Sequence, residues 1–273
     1  MYLSSLLIDA GENPDRPRPG RHWLRNRYHV HQRLCMAFPS PSRKGADADF
    51  LEPFNPAGFG RPGDDGLQQI HVERCPDAGF LFRIDPQPRG RVVIVVQSAL
   101  EPDWDYAFHN APHLLAACPE VKKFTPVFQK DQPLRFRLLA NPTRKVDTKS
   151  GPGGERRNGK RLPVADDKLC DWLEGKGQAA GFQVAKDSLA IQLSRVYAWK
   201  KKSGAGAQER NDAEQKEQDK TARGVTQTFF AARYDGTLSV SGPALFRAAI
   251  VHGIGPGKAY GFGLLSVAPA SGV

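Results

Sequence analysis

The alternation of apolar and polar positions predicts a strand at the start of the chain and a helix soon after it. Residues 1–8 are mostly apolar and rich in types that favour strands. A helix is predicted over 26–38, where Val30 and Leu34 are four residues apart and share one buried face. Pro39 follows and is expected to end this helix.

Two apolar runs after residue 79 predict a pair of strands. They cover 80–84 and 91–97, with a turn rich in Pro and Gly at 86–90 between them. A helix interrupted by a proline is predicted within 104–118, and a fourth strand over 122–129. The resulting order is β-α-β-β-α-β, which is typical of the ferredoxin-like unit.

The second half of the chain repeats this order loosely. Leu134 to Leu139 alternates with period two and carries arginines on one face. The other predicted elements are a helix at 165–175, strand-like alternation over 182–198, a strand or hairpin at 226–240 with a candidate turn at 234–237, a helix at 242–251 and a closing apolar run at 264–267.

This pattern predicts an α+β fold of two tandem ferredoxin-like (RRM-like) domains. Their predicted ranges are 1–130 and 131–273. Residues 40–67 are rich in Pro, Gly and acids, and they are expected to form a long loop. Residues 200–223 carry mixed charges and few apolar side chains, and we expect a mobile charged loop there.

Composition supports a globular protein and argues against a membrane protein. The chain has 273 residues, of which 40% are apolar and 9% aromatic, enough to form a core. No apolar run reaches the length of about 18–20 residues that a membrane span needs. The first nine residues lack the basic region of a signal peptide, and the four cysteines form no C-x-x-C pair. A cytoplasmic protein with reduced thiols and no membrane partner is expected.

The positive charge is concentrated in one part of the chain. The formal net charge is +10, and the stretch 122–161 holds twelve basic and three acidic residues. Such a stretch is typical of a protein that binds a phosphate backbone. The alternative is a solvated basic surface without a partner. An anionic membrane is disfavoured because no basic amphipathic helix is evident.

The segment 253–263 is rich in glycine and contains Lys258. It is not a phosphate-binding P-loop, because no Ser or Thr follows the lysine. Glycines let the backbone approach a ligand closely, and exposed N–H groups beside a lysine favour an anion. The alternative is a tight turn with close strand packing, and both interpretations stay open from the residues alone.

The predicted first helix carries candidate catalytic side chains. Tyr28 and His31 are three residues apart and so share a helix face, whereas His29 points elsewhere. The positive end of a helix favours a neutral imidazole, which suits a general base at neutral pH. The alternative is a surface histidine beside a partly buried tyrosine. No third ligand accompanies His29 and His31, so no metal site is expected.

Several segments, taken together and in order, resemble a known family. They are Met1-Tyr2-Leu3-Ser4, Tyr28-x-x-His31-Gln32-x-Leu34 with Phe38-Pro39, Phe80-Leu81-Phe82-Arg83, Gln97-Ser98-Ala99, Phe136-Arg137-Leu138-x-Ala140-Asn141-Pro142-Thr143-Arg144-Lys145, and Gly253-Ile254-Gly255-Pro256-x-Lys258-x-x-Gly261-x-Gly263-Leu264-Leu265-Ser266. On these segments the chain resembles the CasE family, the type I-E CRISPR RNA-processing endoribonucleases that are subunits of the Cascade complex. The resemblance spans nearly the whole chain.

The resemblance implies an activity as well as a fold. Members of the family are expected to cut CRISPR precursor RNA at the base of the repeat hairpin by attack of a 2′-OH, without metal or other cofactor. The products are a 2′,3′-cyclic phosphate and a 5′-OH, and the enzyme stays bound to the mature guide RNA beside the other Cascade subunits. Cys35 stands where the family usually has Trp, which we interpret as a change in the core, and 45–70 and 200–223 are longer than usual.

The resemblance also assigns residues to roles. His31 matches the catalytic histidine and Tyr28 the active-site tyrosine, and Lys258 is expected to stabilise negative charge beside them. A basic loop is expected to enter the groove of the RNA hairpin. The expected RNA-binding residues are Arg27, Arg144, Lys145, Arg156, Arg157, Lys160, Arg161, Gly255, Gly257, Gly261 and Gly263.

Two other functions remain as alternatives. The chain could be a non-catalytic RNA-binding subunit of a ribonucleoprotein, in which His31 only contacts RNA. It carries no aromatic signature of the RNP1 kind, which disfavours ordinary stacking of single-stranded bases on a sheet. A basic structural protein without an RNA partner would leave the glycine-rich segment and the clustered arginines unexplained.

Overall fold

The computed structural model describes residues 1–11, 19–39, 79–146, 160–199 and 226–270. The predicted loops at 40–67 and 200–223 lie outside these described residues. The element order from Tyr2 to Pro269 follows the predicted β-α-β-β-α-β succession in each half of the chain.

The first half contains a four-stranded antiparallel sheet in the order β2-β3-β1-β4. This is the strand order of a split β-α-β ferredoxin-like unit. Strand β1 pairs with β3 along its whole length, from Tyr2 opposite Ser98 to Asp9 opposite Arg91. The strands are β1 Tyr2–Asp9, β2 Phe80–Pro86, β3 Arg91–Ser98 and β4 Glu120–Lys123.

The second half contains a sheet in the order β11-β5-β10-β8, and β9 also pairs with β10. The two halves therefore share one topology, and the predicted α+β fold of tandem ferredoxin-like units is confirmed. A separate two-stranded ribbon follows β5. The strands are β5 Pro133–Ala140, β6 Thr143–Val146, β7 Lys160–Pro163, β8 Phe182–Val184, β9 Ala190–Trp199, β10 Thr226–Val240 and β11 Leu265–Pro269.

The described helices are short. They are α1 Pro19–Arg25, α2 Arg27–Cys35, α3 Trp104–Phe108, α4 Leu169–Ala180 and α5 Pro243–His252. Single 3₁₀ turns cover Pro112–Leu114, Asp166–Lys168, Lys186–Ser188 and Lys258–Tyr260. In the part of the chain that the structure describes, no helix has the length and apolar character needed to cross a membrane.

Each sheet buries one face against its own helices. In the first half the alternating residues Leu6 and Ile8 of β1 pack with Val30 and Leu34 of α2. In the second half Leu138, Tyr234 and other strand residues pack with side chains of α4 and α5. The described residues thus form two main cores, and Leu139, Val196, Ala231 and Phe262 form a smaller third cluster. The predicted boundary at 130/131 falls between β4 and β5, although Phe128 packs on the second core.

Some predicted elements differ from the structure. The candidate turn at 234–237 is wrong, because β10 runs unbroken and places Asp235 and Gly236 opposite Arg137 and Phe136. The fourth strand begins and ends earlier than the predicted 122–129, consistent with Pro126 having no N–H to donate. The predicted helix within 104–118 is split, and Pro112 begins a separate 3₁₀ turn.

Helix α1 was not predicted, and α2 ends at Cys35, three residues before the predicted end at 38. The next three backbone N–H groups bond to carbonyls three residues back, which is a tighter turn than an α-helix. The alternation over 182–198 is divided between β8 and β9 by the turn Lys186–Ser188.

Polar side chains join the two halves. The buried Gln97 donates from Nε2 to the carbonyl oxygen of Ile250 at 2.6 Å. Arg83 of β2 donates from Nη1 to Ser266 Oγ of β11 at 2.8 Å. Because both donors are buried, breaking either contact leaves a desolvated polar group, so these bonds set how the halves meet.

Candidate active site and nucleic-acid interface

Helix α2 is held at the junction of the two halves by its N-cap residue, Asn26. The Asn26 Oδ1 atom accepts hydrogen bonds from the backbone N–H groups of Tyr28 and Trp199, each at 3.1 Å. Its Nδ2 donates to the Trp199 carbonyl oxygen at 2.8 Å. Asn26 is buried, so one side chain both starts the helix and fixes it to β9 of the second half.

The half-buried His31 lies on α2 against two aromatic rings of β2. Its imidazole stacks on Phe80 with ring centroids 5.4 Å apart and on Phe82 at 6.3 Å. The sulfur of Cys35 lies 3.6 Å from His31 Nε2, one helical turn later. Cys35 is therefore more than a change in the core, because it also contacts the candidate catalytic histidine and helps to orient it.

Arg27 lies four residues before His31 and so on the same face of α2. Its Nη1 atom is buried and has no hydrogen-bond partner among the described residues. Burial lowers the pKa of Arg27 to about 10, and attraction to Asp85 opposes this shift. Arg27 is still a cation at neutral pH, and a buried cation with an unsatisfied donor favours the approach of an anion.

The glycine-rich segment is a series of left-handed turns. Positive φ angles of 72° at Gly253 and 86° at Gly261 are accessible to glycine without the strain that a side chain brings. A Cβ on Gly261 would lie 3.0 Å from the Phe82 ring, and one on Gly257 would lie 2.9 Å from the Phe262 ring. Gly255 and Gly263 also have positive φ. Turn geometry and close packing account for these glycines, and their contact with RNA stays a prediction.

This segment brings Lys258 to α2. The 3₁₀ turn Lys258–Tyr260 packs against both α2 and β2, and Lys258 itself is exposed. Asn141, from the Ala-Asn-Pro motif, has its Nδ2 3.7 Å from the position of a Cβ on Gly257. Motifs that are more than 100 residues apart in the chain therefore meet in one place.

The strands β6 and β7 form a basic ribbon. Lys145 lies directly opposite Arg161, and Arg144 opposite Leu162. Arg144, Lys145 and Arg161 are exposed. Like charges opposite each other destabilise a strand pair, so this ribbon is better suited to contact with a polyanion than to isolation in water.

The structure describes only part of the remaining predicted basic residues. Arg156 and Arg157 lie outside the described residues, and Lys160 is described only through its backbone pairing with Val146. The sequence predicted a basic loop here and gave no sign of the strand pairing, because four-residue strands carry little periodicity. It also missed the support that Phe80, Phe82 and Cys35 give to His31, although the aromatic pair at i and i+2 on a predicted strand was a usable signal.

The arrangement provides acid–base and phosphate-binding groups. Among the described residues, no group of three or more His, Cys, Asp or Glu side chains is placed to hold a metal ion. His29 is exposed, and its ring centroid lies 6.3 Å from that of Tyr28. An imidazole, a phenol and two cations on or beside one helix can together move a proton and neutralise a phosphate.

Comparisons with known proteins agree over the whole chain. The model of a family described as CRISPR associated protein matches residues 1–269. The CRISPR-associated endoribonuclease Cse3 of Thermus thermophilus is 30% identical over 278 residues, covering 98% of this chain and 100% of the relative. A solved structure of CRISPR endoribonuclease Cse3 bound to a 19 nt RNA has 26% identity and a TM-score of 0.65, covering 98% of this chain and 100% of that one.

The similarity of fold extends to a second relative. The crystal structure of the CRISPR-associated protein Cas6e from Escherichia coli K-12 has a TM-score of 0.53 at 21% identity, again covering 98% of this chain and 100% of that one. At this identity the match concerns the fold. It agrees with the two ferredoxin-like units described above.

Proposed function

Because the chain belongs to the CRISPR associated protein family, we propose that it is an endoribonuclease that cuts CRISPR precursor RNA at the base of the repeat hairpin. The observation that carries the proposal is the meeting of α2, with Arg27, Tyr28 and His31, and the turn that begins at Lys258. After cleavage the protein keeps the mature guide RNA and joins the other Cascade subunits. Its place of action is the cytoplasm.

The chemistry needs no external nucleophile. The ribose 2′-OH attacks the adjacent phosphorus in line, the O2′–P bond forms and the P–O5′ bond breaks. His31 takes the proton of the 2′-OH or supplies one to the leaving 5′ oxygen. Tyr28 orients the 2′-OH or steadies the phosphorane. The products are a 2′,3′-cyclic phosphate and a 5′-OH, and no metal or other cofactor takes part.

Negative charge builds up on the non-bridging phosphate oxygens during this step. Arg27 and Lys258 are the cations beside His31 that neutralise it. The buried guanidinium of Arg27 is the more effective of the two per contact, because electrostatic attraction is stronger where water is excluded. The backbone N–H groups of Gly255 and Gly257 add to the same anion site, whereas those of Gly261 and Gly263 already donate to the carbonyl oxygens of Lys258 and Leu139.

The basic ribbon holds the RNA hairpin. Lys145 and Arg161 form a cross-strand pair of like charge that phosphates relieve. Arg144 and Lys160 lie on the same two strands, and Arg156 and Arg157 extend the basic sequence between them. In this proposal the ribbon contributes affinity for the RNA hairpin, and the site on α2 cleaves the RNA.

The test is single-turnover cleavage of the repeat hairpin RNA of the source genome, with excess EDTA, by wild type and by His31→Ala. Metal-free cutting to cyclic-phosphate ends by wild type and a loss of about 10²–10⁴-fold in the variant are expected, because His31 moves the proton. The variant should bind the RNA as wild type does. A 2′-deoxy sugar before the scissile phosphate should stop all cutting.

Two outcomes would change the assignment. Equal cutting by both proteins would remove His31 from the mechanism. Tight binding of the hairpin with no cutting by either protein would show a non-catalytic RNA-binding subunit instead.

A further inference from the structure

A charged cleft lies where the open face of the second sheet meets the edge of the first. It has a volume of about 470 Å³. Arg135 and Arg137 of β5, Asp235 of β10 and Ser266 of β11 line it from the second half, and Arg83 of β2 lines it from the first. None of these residues belongs to the site on α2 or to the basic ribbon.

The strand alternation of β5 places the arginines there. Leu134, Phe136 and Leu138 point into the second core, so Arg135 and Arg137 lie on the opposite face, where Leu139 of the same strand packs with Phe262 and Tyr260 of the glycine-rich segment. Phe136 also borders the cleft but is 4% exposed, so it offers no ring for a base to stack on.

The cleft and its bonded neighbours carry an excess of positive charge. Asp235 is shared by Arg137, whose Nε lies 2.5 Å from Oδ1, and Arg233, whose Nε lies 2.7 Å from Oδ2. Asp85 accepts from Arg83 at 2.8 Å through each of its carboxylate oxygens. These are three guanidinium groups and two carboxylates, and Arg135 lies on the same strand face as Arg137. The ion pairs hold the arginines in place, and the net positive charge of the group favours an anion.

The cleft lies close to the candidate active site. Phe82 and Arg83 are consecutive residues of β2, and in the described part of the chain β2 is at the edge of its sheet. Phe82 stacks on His31 from one face, and Arg83 reaches the cleft from the other. Within the described part of the chain, strand β2 therefore separates His31 from the cleft, and RNA with its scissile phosphate at His31 would reach the cleft across the edge of this strand.

We propose that this cleft binds the sugar-phosphate backbone of single-stranded RNA that flanks the repeat hairpin. The inference rests on the proposed function, because the flanking strand comes close to the cleft when the hairpin to which it is joined is bound. Arginines and the hydroxyl groups of Ser266 and Thr237 suit phosphates and 2′-OH groups, and the absence of an exposed ring in the described lining favours the backbone over the bases. An acidic protein segment has similar chemistry, but the flank is tethered to RNA already bound, which raises its effective concentration.

The experiment compares three uncleavable RNAs, each with a 2′-deoxy sugar before the scissile phosphate. One is the hairpin alone, and the other two carry a single-stranded flank of about eight nucleotides on the 5′ or the 3′ side. Affinities are measured by fluorescence anisotropy at several salt concentrations. The proteins are wild type, Arg135→Gln/Arg137→Gln and the matched control Lys176→Gln/Arg247→Gln, which loses two exposed charges from helices on the other face of the same sheet.

For wild type, one of the two flanks should tighten binding by about tenfold, equivalent to 1.4 kcal/mol. The double variant should lose this gain and keep the affinity for the hairpin alone. For the flanked RNA, the slope of log K against the logarithm of the salt concentration (the salt slope) should become shallower by about 1.4 in the double variant, as expected for two lost contacts with a single strand. Arg135→Gln alone leaves the Arg137–Asp235 pair intact and should lose part of the gain, which guards against a folding defect in the double variant.

Other results would overturn the proposal. If wild type binds the hairpin tightly and neither flank adds affinity, the cleft does not hold RNA, and the proposed nuclease function is untouched. The same conclusion follows if the control variant loses as much as the double variant, or if the double variant keeps the gain from the flank and loses binding to other Cascade subunits. If wild type does not bind the hairpin at all, both proposals fall.

Discussion

At the scale of single residues, function and stability depend on where polar atoms are buried. Asn26 uses both polar atoms of its amide to start α2 and to tie it to Trp199. Arg27 follows directly and keeps a buried donor that the described residues do not satisfy. One buried polar side chain thus stabilises the helix, and the unsatisfied donor of the next residue is the reason why we propose Arg27 as an anion contact.

Burial changes the pKa of the Tyr234 phenol. Its phenol is fully buried in the second core and donates to the Leu169 carbonyl oxygen at 3.3 Å. Burial raises the pKa of Tyr234 above its ordinary value. The folded state therefore holds this proton more tightly than the unfolded state, so the contribution to stability is complete below about pH 10 and is lost as the pH rises further.

We expect Tyr234→Phe to lower the free energy of unfolding by about 1 kcal/mol at pH 7, because one hydrogen bond is lost. Above about pH 10 wild type loses stability that the variant keeps, so the difference in free energy of unfolding between the two proteins should become smaller. Urea denaturation on both sides of pH 10 measures this difference. Tyr197→Phe, at an exposed position on β9, is the control and should show no such change. A gap that stays constant with pH would contradict the argument.

At the scale of elements, paired strands place charges that the sequence separates. Arg161 follows Lys145 by 16 residues in the chain, yet the two lie directly opposite each other on the ribbon. The cost of this like-charge pair is small on the surface, and bound phosphates would offset it. We therefore propose that the ribbon binds RNA more than it stabilises the fold.

Removal of that pair tests the role of the ribbon. Lys145→Gln/Arg161→Gln should weaken binding of the hairpin and lower the salt slope by about two, because two phosphate contacts are lost. The saturated single-turnover rate should change little, since the variant leaves α2 intact. Lys176→Gln/Arg247→Gln again serves as the control of equal charge. An unchanged salt slope in the ribbon variant would show that these side chains do not meet the backbone of the RNA.

At the scale of the whole molecule, the candidate site exists only because the two halves pack together. The first half provides His31 and the second half provides Lys258, and the glycine-rich segment brings the second to the first. Gly261 is a point of close approach in this segment, because a Cβ there would lie 3.0 Å from the Phe82 ring beneath His31.

Gly261→Ala tests this junction. The residue has φ of 86°, so alanine would be strained as well as crowded, and the free energy of unfolding should fall by about 1–3 kcal/mol. Cleavage should slow more than hairpin binding weakens, because the turn that carries Lys258 moves away from α2. Gly175→Ala is the control: it lies in α4 with nothing within 4 Å of a new Cβ and should be neutral or slightly stabilising. Equal stability and cleavage in both variants would contradict the role of this contact.

Features that depend on a local pattern were predictable from the sequence, and features that depend on distant pairing were not. Strands β1, β3 and β5 alternate because each buries one face, so their positions were predictable. The Asp235-Gly236 pair resembles a hairpin turn, yet β10 continues because β5 pairs with it across that point. Helix α1 and the ribbon were missed because elements of four to seven residues leave too few periods to recognise.

Apart from α1 and the ribbon, the chain alone specified the order of the main strands and helices, and it specified the two-unit fold, the concentration of basic residues and the candidates Tyr28, His31 and Lys258. These follow from periodicity, composition and motifs, which are local properties. Packing specified the rest: the turn at Lys258 against α2, the Lys145–Arg161 pair, and the cleft between Arg83 and Arg137. Each joins residues from separate elements. Their meeting depends on burial of two cores and on a few buried hydrogen bonds between them, which no local pattern encodes.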